Sequence, residues 1–206
     1  MVISISIYQL IYCILFSIYS LVRIYFVYFV AKRNTNKNIY KRSKNKTIER
    51  IKVCIAGIGM IFVPLISVFT PYLNYFKIQI PSFLLIITII LLILNIYYFY
   101  LIHKQLGENW SPVLEIRKKQ KLIKTGVYKY VRHPMYTQSW IWTILQGVLL
   151  TNYFVEICGI LCWGYLYCTR VGPEEQMMIE EFGEEYIEYM KITGRLMPNI
   201  SVLLKK

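Results

Sequence analysis

Two polar stretches hold nearly all the side chains able to do chemistry. The first, residues 120 to 138, contains Gly126, Tyr128, Arg132, His133 and Tyr136; the second opens with Arg170, Glu174 and Glu175. A guanidinium stays charged and can hold an anion. Imidazole or carboxylate can take a proton, and His133, Glu174 and Glu175 are the general bases within reach of that role. Phenol rings such as Tyr128 and Tyr136 can face a cation. Between the stretches lie two short apolar runs, Tyr136 to Leu150 and Tyr153 to Thr169, separated only by Thr151 and Asn152. Folded back on itself, such a helical pair returns both polar stretches to one place.

The elements that must position these groups are membrane helices. With 56% hydrophobic residues and a mean hydropathy of +0.44 over 206 residues, the chain has more apolar surface than a soluble domain of that size can bury. A bilayer core of about 30 Å asks for about 20 apolar residues per helix. Val2 to Ala31, Val53 to Tyr72 and Pro81 to Ile102 meet that requirement, and the two shorter runs bring the expected total to five spans.

Charge supports the same count. The net +13 comes from 24 Lys and Arg against 11 acids, all Glu. Nine of the cations fall in residues 32 to 52, eight in 104 to 132 and five in 170 to 206, whereas the alternating loops hold only Lys77. Five spans with the N-terminus outside place all three basic segments on the cytosolic side. This segregation argues for a membrane rather than nucleic acid as partner. Arg23 is expected to snorkel to the inner interface.

The expected fold is therefore all-α and polytopic, with residues 1–103 forming a three-helix region and 104–206 a re-entering hairpin plus a C-terminal interfacial amphipathic helix. That last helix is expected to begin at Pro173, in its first turn, and its Met178, Tyr186 and Tyr189 face should cover something at the interface. Lys32 to Arg50 reads as a solvated connector. The five cysteines, without a CxxC pair, read as buried thiols packing as small hydrophobes, and no metal site is expected.

GVYKYVRHPMY at 126–136, preceded by LGENWSP at 106–112 and followed by RVGPEEQMMIEEFGEEYIEYMKITGRLMP at 170–198, resembles the isoprenylcysteine carboxyl methyltransferase family over about the last hundred residues. The resemblance implies an S-adenosylmethionine-dependent methyltransferase acting on a lipid-like or prenylated, membrane-partitioned substrate. It also implies that Gln120, Lys121, Leu122, Ile123, Gly126, Tyr128, His133, Pro134, Met135, Tyr136 and Glu174 contact the cofactor. Arg170 becomes the substrate-facing cation, with Glu174 beside it in the catalytic set. Pro134 should hold His133 in extended backbone with its polar groups available to a ligand.

A carboxylate acceptor needs only a cation to hold it, while an amine must also lose a proton. Phospholipid N-methylation is the alternative chemistry; an NADPH-dependent lipid reductase and a non-catalytic lipid-binding protein are the others. One departure bears on the acceptor: where the family carries an arginine near the end of the span before LGxxW, this chain has Tyr98, Phe99 and Tyr100, with Lys104 the nearest substitute. His103 reads as a polar helix end, Trp140, Trp142 and Trp163 as belt or packing residues, and Glu175, more than Glu174, as a solvated first-turn acid.

Overall fold

The computed structural model describes residues 5–33, 40–43, 46–109, 115–117 and 121–200. Seven α-helices account for most of them: α1 (Ile7–Arg33), α2 (Lys46–Gly57), α3 (Val63–Phe69), α4 (Ser82–Leu106), α5 (Pro134–Leu149), α6 (Tyr153–Phe182) and α7 (Glu184–Ile192). Four segments are long and apolar enough to cross a membrane: Ile7–Phe29, Thr47–Phe69, Ser82–Leu106 and Tyr153–Phe182. The chain is thus an integral, multi-pass helical membrane protein. Its outward faces carry isoleucine, leucine and tyrosine, as a lipid-facing surface requires. One small antiparallel ribbon interrupts the helical pattern, β1 (Tyr40–Ser43) on β2 (Glu115–Arg117). The stretch expected to be a solvated connector therefore contains a paired strand, and α2 already begins within it.

Thr47–Phe69 is continuous only because of a wide turn. Ile58–Phe62 is π-helical, and the Val63 N–H donates to the Ile58 carbonyl instead of to Gly59. Pro64 has no N–H to offer, which leaves the Gly59 carbonyl without a helical donor. The Gln146 amide of α5 supplies one at 3.3 Å. Gly59 also allows the helices to touch: a Cβ there would lie 2.6 Å from the Cys158 carbonyl oxygen of α6.

α5 and α6 are joined at Leu150–Asn152. Asn152 caps α6 by accepting from the Phe154 and Val155 N–H groups and anchors the turn by donating to the Leu73 carbonyl at 2.8 Å. The two helices run antiparallel: Gly147 packs on Glu156, Gly159 on Thr143, and Tyr136 on both Trp163 and Tyr167. At 16 residues α5 is shorter than the four spanning segments.

The expected boundary at Pro173 is corrected. α6 runs through it to Phe182, so Pro173 lies inside a 30-residue helix. A proline there strips the donor from the carbonyl four residues back, and the Lys52 ammonium of α2 donates to that Thr169 oxygen at 3.3 Å. The break comes ten residues later at Gly183, whose φ of +55° suits a residue without Cβ. The cysteines also depart from expectation, because Cys54 and Cys168 are exposed on the outer surface while the other three are partly buried.

Two apolar clusters hold the bundle together. Tyr12, Leu92, Trp142, Leu149 and Val155 join α1, α4, α5 and α6, while Ala56, Tyr136, Trp163 and Leu166 join α2 to the α5–α6 pair. The main cavity is lined by the middle of α1, by α2, and by residues of α4, α5, α6 and α7.

Candidate functional site

His133 precedes α5 with φ −122° and ψ 58°, outside the helical region as the following proline demands. Its backbone is nevertheless not available to a ligand. The His133 N–H donates to the Arg195 carbonyl, and the His133 carbonyl accepts from the Tyr136 and Thr137 N–H groups. Thr137 Oγ1 donates to the Leu196 carbonyl and the Arg132 N–H to that of Gly194. The segment from Thr193 to Leu196 therefore lies along the RHP segment and fixes it. What His133 offers is its ring, with Nε2 3.2 Å from Glu175 Oε1 and Nδ1 3.9 Å from Glu174 Oε1.

Of the paired glutamates, Glu174 lines the cavity as expected, whereas Glu175 is not the solvated acid its position suggested. Glu175 is buried, its side chain 6% exposed, and accepts from Arg132 Nε at 2.7 Å, from Arg195 and from His133. Glu174, one position earlier and about 100° around the helix, keeps 34% of its side chain exposed. It accepts from the Tyr136 hydroxyl at 2.6 Å and faces the cavity. Spacing could not separate the two, because the partners that bury Glu175 come from residues 132 and 195.

The cavity has a volume of about 570 Å³, inside the range of about 300–1,000 Å³ usual for small-molecule sites. One end is polar, lined by Lys121, Tyr128, His133, Glu174 and Tyr186. Burial, followed by the nearby Glu174 carboxylate, pushes the Tyr128 phenol well above its ordinary range. Burial does the same to Tyr186, with Glu175 and Glu174 adding to it. Both phenols thus stay protonated and able to donate. The other end is apolar and lies among the spans, between Phe16 and Ile24 of α1 and Val53, Ala56 and Met60 of α2, with Trp142 and Trp163 behind. The Trp163 indole N–H has no hydrogen-bond partner among the described residues.

Arg170 also lines the cavity. Its Nε lies 3.6 Å from Glu49 Oε2, and Lys52 holds the other oxygen of Glu49 at 2.9 Å. Of the residues singled out from the sequence, Lys121, Leu122, Ile123, Tyr128, His133, Pro134, Met135, Tyr136, Arg170 and Glu174 all line this one cavity. Gly126 is not on its wall; with φ +59° it starts the turn that packs on Gln105. Gln120 lies outside the described residues, as does Trp110.

Several lining residues were not expected. Trp142 and Trp163 face the cavity instead of serving only as packing. Lys104 is exposed and absent from the lining, so it is no substitute for a missing cation. Arg23 does not snorkel outward; it points inward beside His103, which is 1% exposed and no mere helix end. Glu49 escaped notice because its partner Arg170 is more than a hundred residues away. An isolated charge inside an apolar run was the available signal for Arg23.

Fold and site together define a class: a multi-pass helical membrane protein with a mixed cavity lined by apolar side chains of its spans and by a carboxylate, an imidazole and phenols. Comparison with known proteins narrows it. The model of the isoprenylcysteine carboxyl methyltransferase (ICMT) family matches residues 84–180. Similar curated proteins include the protein-S-isoprenylcysteine O-methyltransferases of Saccharomyces cerevisiae, 34% identical over 96 residues, and Homo sapiens, 36% identical over 91. These matches cover 46% and 41% of this chain, but only 40% and 31% of the relatives' lengths. The solved structure of the eukaryotic intramembrane Ras methyltransferase ICMT shares the fold, with a TM-score of 0.52 at 22% identity, covering 76% of this chain and 54% of that one.

Proposed function

We propose that this chain is an S-adenosylmethionine-dependent methyltransferase that esterifies the carboxylate of a lipid-like acceptor of the isoprenylcysteine type. The observation that carries the reading is one cavity whose wall brings Arg170, His133, Tyr136 and Glu174 together with apolar side chains of the spans. When bound, S-adenosylmethionine supplies a methyl group carried on a positively charged sulfonium. The donor set fits it: Tyr128 and Tyr136 offer rings, worth about 0.5–2 kcal/mol each toward a cation, and Glu174 can accept from ribose hydroxyls or the amino group. In this reading Lys121 to Ile123 and His133 to Tyr136 form the donor wall. The apolar end receives the acceptor's tail from the bilayer.

Arg170 would hold the acceptor's carboxylate. Bound S-adenosylmethionine would supply the methyl group to that oxygen, sulfur keeping the electron pair of the broken S–C bond, and no proton would have to move. Alignment then does most of the catalysis. Amine methylation is the weaker reading, because each possible base already has a partner: Glu174 accepts from Tyr136, and Glu175 is held by two arginines and His133. The sidedness argued from Lys and Arg belongs to the same proposal, with the cavity's polar end cytosolic. So does a fifth crossing by α5, whose 16 residues span about 24 Å.

The test uses purified protein in detergent micelles with methyl-labelled S-adenosylmethionine and N-acetyl-S-farnesylcysteine. Label should enter the acceptor in base-labile form, and calorimetry should detect the methyl donor but not NADPH. His133→Ala and Glu174→Ala should each weaken donor binding about tenfold, near 1.4 kcal/mol. Unchanged donor affinity in both variants would overturn the pocket assignment, and label in an acceptor lacking a carboxyl group would overturn the chemistry.

A further inference from the structure

Arg170, the cation assigned above to the acceptor, has a permanent neighbour. Glu49 stands in the first turn of α2, where an acid ordinarily suits the helix dipole from an exposed position. This one is 3% exposed. Its Oε1 accepts from the Lys52 ammonium at 2.9 Å, and its Oε2 lies 3.6 Å from Arg170 Nε. Lys52 is itself tied to α6, because it donates to the carbonyl of Thr169, the residue before Arg170. Arg170 lines the cavity, whereas Glu49 and Lys52 do not. Glu49 therefore meets the guanidinium from behind the wall and leaves its cavity side to a ligand. Both residues also precede position 84, where the match to the family model begins.

The contact is an ion pair without a hydrogen bond. At 3.6 Å the Arg170 Nε–H is too far from the carboxylate to donate to it, and Nε and Oε2 are both buried with no hydrogen-bond partner among the described residues. What Glu49 supplies to Arg170 is thus charge more than orientation. A buried guanidinium needs a counter-charge. The acceptor can provide one only while its carboxylate is free, since the methyl ester is neutral. A carboxylate held by the protein compensates Arg170 before an acceptor arrives and after the ester has formed.

The same charge weakens the attraction that Arg170 exerts on a second anion, because two carboxylates against one guanidinium repel each other, strongly so at low dielectric. We infer that Glu49 is a specificity-determining counter-ion, which tempers the hold of Arg170 on the anionic acceptor and thereby narrows the gap in affinity between acid and ester. The inference rests on the proposed methyltransfer reading for the identity of the acceptor, but it concerns binding and is tested without turnover.

The probes are N-acetyl-S-farnesylcysteine and its methyl ester, titrated by calorimetry, without methyl donor, into the full chain in detergent micelles. Glu49→Gln should tighten acid binding at least fivefold and change ester binding by less than twofold. A merely structural role would weaken both ligands together. Because that variant leaves Lys52 and Arg170 without their shared anion, a second one combines it with Lys52→Gln, which keeps the net charge of the cluster. The double variant should still tighten acid binding at least twofold, and it decides the matter if the single one does not fold. S-adenosylmethionine affinity should stay within twofold in both, which verifies the fold. Acid binding that is unchanged or weaker overturns the inference and makes Glu49 an arm that orients Arg170. Arg170→Gln separates this claim from the reading beneath it, since it should abolish the preference for acid over ester. A preference that survives Arg170→Gln sinks the acceptor reading and the inference with it, whereas its loss there without tightening in the Glu49 variants overturns the inference alone.

Discussion

Adjacent glutamates with opposite duties set the residue-scale logic of the site. Glu175 lies beneath a buried convergence of Arg132, His133 and Arg195, whereas Glu174 faces the cavity through its bond with Tyr136. Neutralising Glu175 leaves two arginines facing each other without their anion. Glu175→Gln should therefore lower stability by about 3 kcal/mol, seen as a large drop in the melting temperature in detergent. Glu174→Gln should shift stability by no more than about 0.5 kcal/mol while weakening methyl-donor binding. The opposite pattern would mean that the two roles are reversed. Much at this scale was legible in advance. That Tyr128, His133, Tyr136, Arg170 and Glu174 share one cavity was legible from the ordered RHPxY and paired-Glu series, because they sit within short motifs at the two ends of the α5–α6 pair. Glu175, Glu49 and Arg23 were not, since each takes its meaning from partners on other helices that no local spacing encodes.

Prolines govern the elements. Pro64 and Pro173 each strip a donor from a carbonyl inside a membrane helix, where no water can replace it. In both cases a side chain from another helix takes over: Gln146 for Gly59 and Lys52 for Thr169. Gln146 also accepts from the Trp142 indole at 3.1 Å, so its amide serves two helices. Gln146→Leu should cost about 1–3 kcal/mol by leaving buried groups unsatisfied. Pro64→Ala, by restoring an N–H to the π-turn, should recover part of that loss in the double variant. Strict additivity in a double-mutant cycle would show that proline and amide are unconnected. The same bond explains the misplaced boundary at Pro173. A proline after an apolar run reads as a helix start, and only the distant Lys52 allows the helix to continue. The apolar spans, by contrast, were legible because hydrophobic length is a local property.

At the scale of the whole molecule, α1 and the Thr47–Phe69 segment meet where Gln9 donates to the Ser67 carbonyl at 3.1 Å, and stand on opposite walls of the cavity at the other end. The acceptor's tail would lie between them. Gly57 faces this space, and a Cβ placed there meets no atom within 4 Å. Gly57→Phe should therefore leave donor affinity and melting temperature nearly unchanged while raising the acceptor KM, more for a twenty-carbon tail than for a ten-carbon one. Equal effects on both tails would place the acceptor elsewhere. Neither wall could be assigned from the sequence, because periodicity does not say which helices stay apart.

The bonds from Thr193–Leu196 to Arg132, His133 and Thr137 also dictate an order of assembly. A nascent chain that stops at Phe182 already has its membrane helices, but the backbone of the histidine segment still lacks the strand that fixes it. The wall of the cavity around His133 thus gains these bonds only after every span has emerged from the ribosome. A premature stop anywhere past Gly183 and short of Thr193 would leave an inserted bundle with an unformed pocket.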